Sequence, residues 1–413
     1  MNSQYIEIKK LVKFVNTGLD AIKRAPIVNQ NTGIKCLRIQ DISQNKPYNQ
    51  WGNTRVAEKD FEKFQLSKDD ILIARTGASI GVLTILNKDY KAVYNNGLIR
   101  IKIDFTKANA KYLFYNLKSQ RYISHIYGIS AGTSTQPNMR INDLLRFKIR
   151  YVNIEEQDRI ANFLSSFDDK IEVNNKINKN LEELAQTLYK HWFVDFEFPN
   201  EEGKPYKSSG GKMIESELGL IPENWTIQYL NEVLEFERGI EPGSKNYEET
   251  YKEHLVPFYR VGDMINQDKV VYVDKELTNN KIANVGDVFV SFDGALGRIS
   301  NTLNGSYSTG IRKVFSKEKF LSNNFIYVLF QSADIQNTIK MYASGTTILH
   351  ASSSIQYLSM PFNKDIVDKF TETISPIVDK IITNKIENIK LAEMRDLLLP
   401  KLMSGEIRLP IEE

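Results

Sequence analysis

Three hydrophobic patterns recur along the chain. Short apolar and β-branched runs, "DDILIA" (Asp69 to Ala74) and "GDVFVS" (Gly286 to Ser291), open on a turn pair and close on a glycine loop, which is the pattern of buried strands. "AKYLFYNLKSQRYISHIY" (Ala110 to Tyr127) and "NNFIYVLFQSADIQNTIKMY" (Asn323 to Tyr342) space their apolar residues three and four apart and so predict amphipathic helices. The third pattern is longer. Phe167, Ile171, Asn174, Asn178, Leu181, Ala185, Leu188 and Trp192 alternate by four and three, the seam of a coiled coil, and Ile377, Ile381, Asn384, Asn388, Leu391, Arg395, Leu398 and Leu402 form a second seam. Asn153 is placed to cap the first long helix, with Glu156 reaching back as in a capping box. Ser375-Pro376 predicts a break in the second, and the aligned Ser165-Ser166 a kink in the first. The helical stretches beyond these points would span roughly 36 to 43 Å.

The two seams belong to a larger repeat. "DKIEVNNKINKNLEELAQTL" (Asp169 to Leu188) and "DKIITNKIENIKLAEMRDLL" (Asp379 to Leu398) lie 210 positions apart and share eight of twenty residues. The echo continues upstream: "RIQDI" (Arg38 to Ile42) with "RVGDM" (Arg260 to Met264), "DDILIARTGASIG" (Asp69 to Gly81) with "GDVFVSFDGALG" (Gly286 to Gly297), and "YGISAGTST" (Tyr127 to Thr135) with "YASGTT" (Tyr342 to Thr347). The organisation expected is α+β: two strand-rich α/β domains, 1–152 and 200–362, each followed by a helical region, 153–199 and 363–413. A polar Gly/Pro/Ser stretch from Glu197 to Lys212 makes the junction. Matched asparagines in both seams suggest that the two helices pair, since a buried amide penalises registers that leave it without a partner.

Composition then narrows the class. Hydrophobic residues at 41% and charged residues at 25% describe a soluble chain. A single cysteine, Cys36, leaves no internal disulfide, and His125, His191, His254 and His350 are too scattered to form a ligand cluster, so a reducing cytoplasm is expected. There is no signal-peptide pattern and no membrane-length apolar run. The net charge of +3 conceals an imbalance. Residues 1–150 carry 25 Lys and Arg against 11 Asp and Glu, the footprint of a polyanion binder, whereas residues 201–362 carry 16 against 20.

Enzyme motifs are missing. The chain has neither GxGxxG nor GxxxxGK[ST]. "NKPY" (Asn45 to Tyr48) falls short of an amino-methyltransferase motif, and Asp195, Glu202 and Lys204 make only a weak nuclease-like set in a polar linker. What the loops do offer suits nucleic acid. Arg75, Thr76, Gly77 and Ser79 combine close backbone approach with phosphate donors, and Thr133, Ser134, Thr135, Gln136, Asn138 and Arg140 add side chains able to read base edges. Arg38 joins them from the repeated "RIQDI". The second domain supplies Arg260, Asp293, Gly294, Arg298, Ser308, Arg312, Lys313, Thr346, Thr347 and His350 at corresponding places, so any phosphate binding in this acidic half must be local.

These features together resemble the DNA-specificity subunit of type I restriction-modification systems. The resemblance rests on the duplication, on "IEEQDRIANFLSSFDDKI" (Ile154 to Ile171), on "LGLIPENW" (Leu218 to Trp225) and on "LLLPKLMSGEIRL" (Leu397 to Leu409), and it covers nearly the whole chain. The first half lacks the "IPENW"-like opening and the second lacks the "EEQ" start of its helix. The resemblance implies two target recognition domains held apart by two antiparallel helices and a double-stranded DNA target in two parts. It also implies two partner methyltransferase subunits, which bind S-adenosylmethionine, and restriction subunits. The chain itself would be non-catalytic and carry no cofactor. The alternative is a coiled-coil scaffold binding protein or RNA, and duplex DNA affinity that stays flat with salt would favour it.

Overall fold

The structure, a computed structural model, describes residues 5–130, 138–265, 267, 270–345 and 349–410. It forms two compact units, Met1–Ile171 with Lys390–Glu413, and Glu172–Ile389. In the first unit, Val12–Thr17, Leu98–Ile103, Ile71–Ala74 and Leu83–Ile85 make an antiparallel sheet in that order. A second sheet runs Ile27–Val28, Gly52–Thr54, Lys35–Leu37, Ala92–Tyr94, its last pair parallel. Tyr5–Glu7 pairs with Lys148–Arg150.

The second unit repeats this plan. Leu234–Arg238, Ile311–Ser316, Val288–Ser291 and Ile299–Ser300 make the equivalent antiparallel sheet. Val271–Asp274, Leu255–Tyr259 and Ser306–Tyr307 follow, again with a parallel last pair, and Thr226–Tyr229 pairs with Ser359–Phe362. A hairpin, Met213–Ser216 with Gly219–Pro222, belongs to the junction, where Phe196 and Phe198 pack on Trp225.

The predicted amphipathic helices each divide in two at the same place. Ala110–Lys118 and Gln120–Ser130 are separated by Ser119, and Asn323–Gln331 and Ala333–Met341 by Ser332, both serines extended at ψ near 150°. Apolar spacing does not register such a break, because both short helices turn their apolar faces to one core. In the first unit that core joins Ile71, Ile73 and Ile99 to Tyr112, Leu113, Ile160, Leu164, Leu402 and Met403. In the second it joins Val288, Val290 and Val314 to Phe325, Leu329, Tyr189, Phe193, Phe370 and Ile374.

The long helices are Ile154–Phe193 and Lys364–Ser404. The first begins as the sequence suggests, with Asn153 Oδ1 accepting the Glu156 N–H at 2.9 Å, but the Glu156 carboxylate turns to Arg150 at 2.9 Å instead of closing a capping box. Asn363 caps the second by accepting the Ile366 N–H at 3.2 Å. The expected break at Ser375-Pro376 does not occur, and the first helix likewise runs unbroken through Ser165-Ser166. Proline in a helix forfeits one hydrogen bond and crowds one carbonyl. Here its ring is exposed, Ser375 Oγ donates to the Thr371 carbonyl at 2.8 Å, and Ile374 and Val378 on either side are anchored in the core.

Within the second unit the two helices run antiparallel. Asn174 Nδ2 donates to Asn388 Oδ1 at 2.9 Å, and Asn384 Nδ2 to Asn178 Oδ1 at 2.8 Å, so one number falls as the other rises. Asn178 Nδ2 reaches the Ile381 carbonyl at 3.4 Å, and Asn388 Nδ2 donates to Asn175 at 2.9 Å. Ile381 is buried, and Leu181 and Leu188 are half-buried. In the first unit Arg395 pairs with Asp168, which also accepts the Tyr115 hydroxyl at 2.6 Å, while Ile171, Leu391 and Leu398 are half-buried.

Candidate nucleic-acid interface

Each unit places its candidate loop by the same backbone device. After the strand Ile71–Ala74, the Arg75 N–H donates to Gly97 O at 3.0 Å and its carbonyl accepts the Met139 N–H at 2.8 Å, so Thr76 bridges to Asn138. After Val288–Ser291, the Phe292 N–H donates to Gly310 O at 3.0 Å and its carbonyl accepts the Ala351 N–H at 2.8 Å, so Asp293 bridges to His350. Thr76 thus corresponds to Asp293, Gly77 to Gly294, Asn138 to His350 and Arg140 to Ser352. Gly77 at φ 75° and Gly294 at φ 71° both occupy the left-handed region that glycine accepts readily.

The frame is shared, but the side chains on it differ. In the first unit Arg75 Nε and Nη2 donate to Asn138 Oδ1 at 3.2 and 3.0 Å, which orients the amide and leaves its NH₂ group facing outward as a donor. Arg140 beside it is exposed and makes no ion pair among the described residues. Ser79 is half-exposed in the short turn Gly77–Ser79. In the second unit Asp293 Oδ1 lies 2.8 Å from His350 Nδ1, which fixes the ring and leaves Nε2 for an outside partner, the side chain being 58% exposed. Gly294 N–H donates to Leu349 O at 2.8 Å, within the same junction.

Other sequence candidates are engaged inside the fold. Arg38 chelates Asp41 at 2.9 and 3.1 Å, and Arg260 chelates Asp263 at 2.8 and 3.3 Å, each closing the turn that follows it. Arg298 Nη1 donates to the Val261 carbonyl at 2.9 Å. Lys313 pairs with Asp287 at 2.7 Å, where the first unit has the buried Arg100 beside Asp70 at 3.6 Å. Ser308 is buried and its N–H donates to Tyr259 O at 2.9 Å. Arg312 is buried beneath Ser352. Thr133, Ser134, Thr135, Gln136, Thr346 and Thr347 lie outside the described residues.

Two structural glycines and one arginine escaped the sequence reading. Gly18 and Gly239 sit against main-chain carbonyls of the neighbouring strand, and Arg238 precedes the second of them. The echo of "TGLD" (Thr17 to Asp20) in "RGIE" (Arg238 to Glu241) was the available signal.

Among the described residues no group of three or more His, Cys, Asp or Glu could hold a metal ion. Of the nuclease-like set, Asp195 is held by Lys190 at 2.7 Å and Glu202 by Lys204 at 2.9 Å. Burial pushes the Cys36 thiol up to about 12, far from a reactive thiolate. No helix among the described residues is long and apolar enough to cross a membrane.

A frame with exposed polar groups occurs twice, with different side chains on each copy, in a chain that also carries two long antiparallel helices. The family model described as the type I restriction modification DNA specificity domain matches residues 2–183 and again 222–390, and the chain belongs to that family. Its role is accordingly sequence-specific recognition of DNA. The type I restriction enzyme MjaIX specificity subunit of Methanocaldococcus jannaschii is 31% identical over 320 residues, 72% of this chain and 69% of that protein. The HindI specificity subunit of Haemophilus influenzae is 25% identical over 410 residues, 84% of this chain and 88% of that protein. The crystal structure of a type I restriction-modification S subunit from M. genitalium covers 100% of this chain and 98% of its own at a TM-score of 0.53 and 19% identity, and so shares the fold.

Proposed function

We propose that the chain is the non-catalytic specificity subunit of a type I restriction-modification complex and reads a DNA target in two unlike halves. The observation that carries this is the repeated junction with exchanged chemistry. Thr76, Asn138 and Arg140 in the first domain present donors suited to purine edges and phosphates. Asp293 and His350 in the second place a carboxylate, able to accept from a cytosine or adenine amino group, beside an imidazole. Two different sets on one frame fit an asymmetric target. The methylation itself would fall to two partner methyltransferase subunits carrying S-adenosylmethionine, with restriction subunits joining them.

Arg140→Ala is expected to relax recognition at one half-site only, at a cost of about 1–3 kcal/mol against the correct base. Mapping methylated sites in a host carrying the variant reads this directly. Uniform weakening across all sites would assign Arg140 to phosphate.

The helix pair would set the gap between the half-sites, and the antiparallel amide register supports this. Removing seven residues from both helices shortens each by about 10 Å, close to three base pairs. Methylome sequencing should then show targets with a gap shorter by about that amount, and an unaltered gap would defeat the idea of a ruler.

A further inference from the structure

The acidic second domain still needs a hold on DNA, and Arg260, Lys313 and Arg298 are already committed to Asp263, Asp287 and the Val261 carbonyl. A different pair of cations lies at one end of its main sheet. Arg238 and Arg312 stand directly opposite each other in antiparallel register, with Val290 beyond Arg312. Like charges in that relation repel. Arg312 is 7% exposed and lies on the same face as Val314 and Phe236, which pack in the core. At the corresponding positions the first domain has Ile99, fully buried, opposite Thr17. A guanidinium therefore replaces a core isoleucine.

No carboxylate among the described residues forms an ion pair with either arginine. Arg312 donates from Nη1 to Thr309 O at 2.6 Å and from Nη2 to Ser352 Oγ at 3.0 Å, which aims it at the segment holding His350. Asp293, an acid that acts on Arg312, is engaged with His350, and Glu237 with Tyr307. Burying a charge without a counterion is costly, and desolvation together with Arg238 accordingly depresses the Arg312 pKa. Arg238 is exposed and keeps all its donors free among the described residues.

We infer that Arg238 and Arg312 form an anion site that grips one phosphodiester of the DNA backbone, anchoring the second domain where the broadly basic first domain needs no such device. The site rests on the DNA-recognition reading. Arg312 supplies a rigid, buried positive charge, and Arg238 closes over the phosphate from the solvent side. A bound phosphate removes the repulsion between the two cations, so binding favours the anion in a way neither arginine achieves alone.

The test is a salt titration of duplex binding by the full chain with its methyltransferase partners, comparing wild type, Arg238→Gln and Arg238→Lys on target and random-sequence duplexes. Arg238 is exposed, so neither variant threatens the fold. Arg238→Gln should weaken both duplexes by a similar factor and make the slope of log K against log salt shallower by about 0.9. Arg238→Lys should keep the slope. An unchanged slope in Arg238→Gln, with wild type still steep, overturns the anion site alone. Loss of a partner subunit with the slope unchanged would assign the pair to an acidic protein surface and also overturns it. A wild-type complex whose duplex binding ignores salt would sink the DNA reading itself.

Discussion

Gly239→Ala is expected to unfold much of the second recognition domain while the first keeps its structure. An added Cβ at this position would lie 2.2 Å from Tyr307 O and 2.3 Å from Ser308 O, closer than any real Cβ contact. Neither carbonyl can retreat easily. Tyr307 O accepts the Ile240 N–H at 2.9 Å, its strand pairs with Tyr259, and its fully buried ring lies 5.0 Å from that of Phe289. Relief requires separating two strands that hold the domain's sheets together, a cost of about 2–4 kcal/mol. Gly18 meets Tyr94 O at 2.2 Å and Asn95 O at 2.4 Å, so Gly18→Ala should do the same to the first domain. Limited proteolysis read by mass spectrometry would show cuts confined to the altered half. A variant with unaltered melting and protease resistance would refute the steric argument.

The second large effect concerns helix register. Asn178→Leu leaves Asn384 Nδ2 buried without its acceptor, now at 2.8 Å, and is expected to cost about 1–3 kcal/mol. The double change Asn178→Leu with Asn384→Leu removes both amides, including the Asn384 Oδ1 that already lacks a partner, and should recover or exceed wild-type stability through apolar packing. The gain carries a loss of discrimination, because a leucine seam tolerates slipped registers that an amide pair penalises. Thermal melts should therefore rank the double variant at or above wild type, while methylated sites in its host spread over several gap lengths. A double variant less stable than either single, or one with a single sharp gap, would count against the asparagines as register markers.

Much of this architecture was legible because it is periodic or repeated. The four-three seam of Asn174, Asn178, Asn384 and Asn388 survives in any fold that buries one face of a helix, so it could be read without coordinates. The paired "RIQD" and "RVGD" segments were legible as a repeat, but their spacing also contained the answer to what the arginines do. An arginine three residues before an aspartate across one turn closes on it, so Arg38 and Arg260 each form an internal ion pair. Ser119 and Ser332 were not legible as breaks, since a serine is tolerated in a helix and only packing on the sheet required the chain to turn there. Pro376 erred in the other direction. Its local cost is real, yet the core contacts of Ile374 and Val378 outweigh it.

The sequence by itself determined the duplication, the α+β class, the two pairing helices and the loops that follow each central strand, because these depend on local periodicity and on residue types recurring at matched places. The tertiary structure alone decided which charges remain available. Lys313 meets Asp287 across 26 positions and Arg312 faces Arg238 across 74, relations set by strand register, which no local pattern encodes. Charge availability is a property of neighbours in space, and so the cations that the fold engages could be named only once the sheets had been aligned.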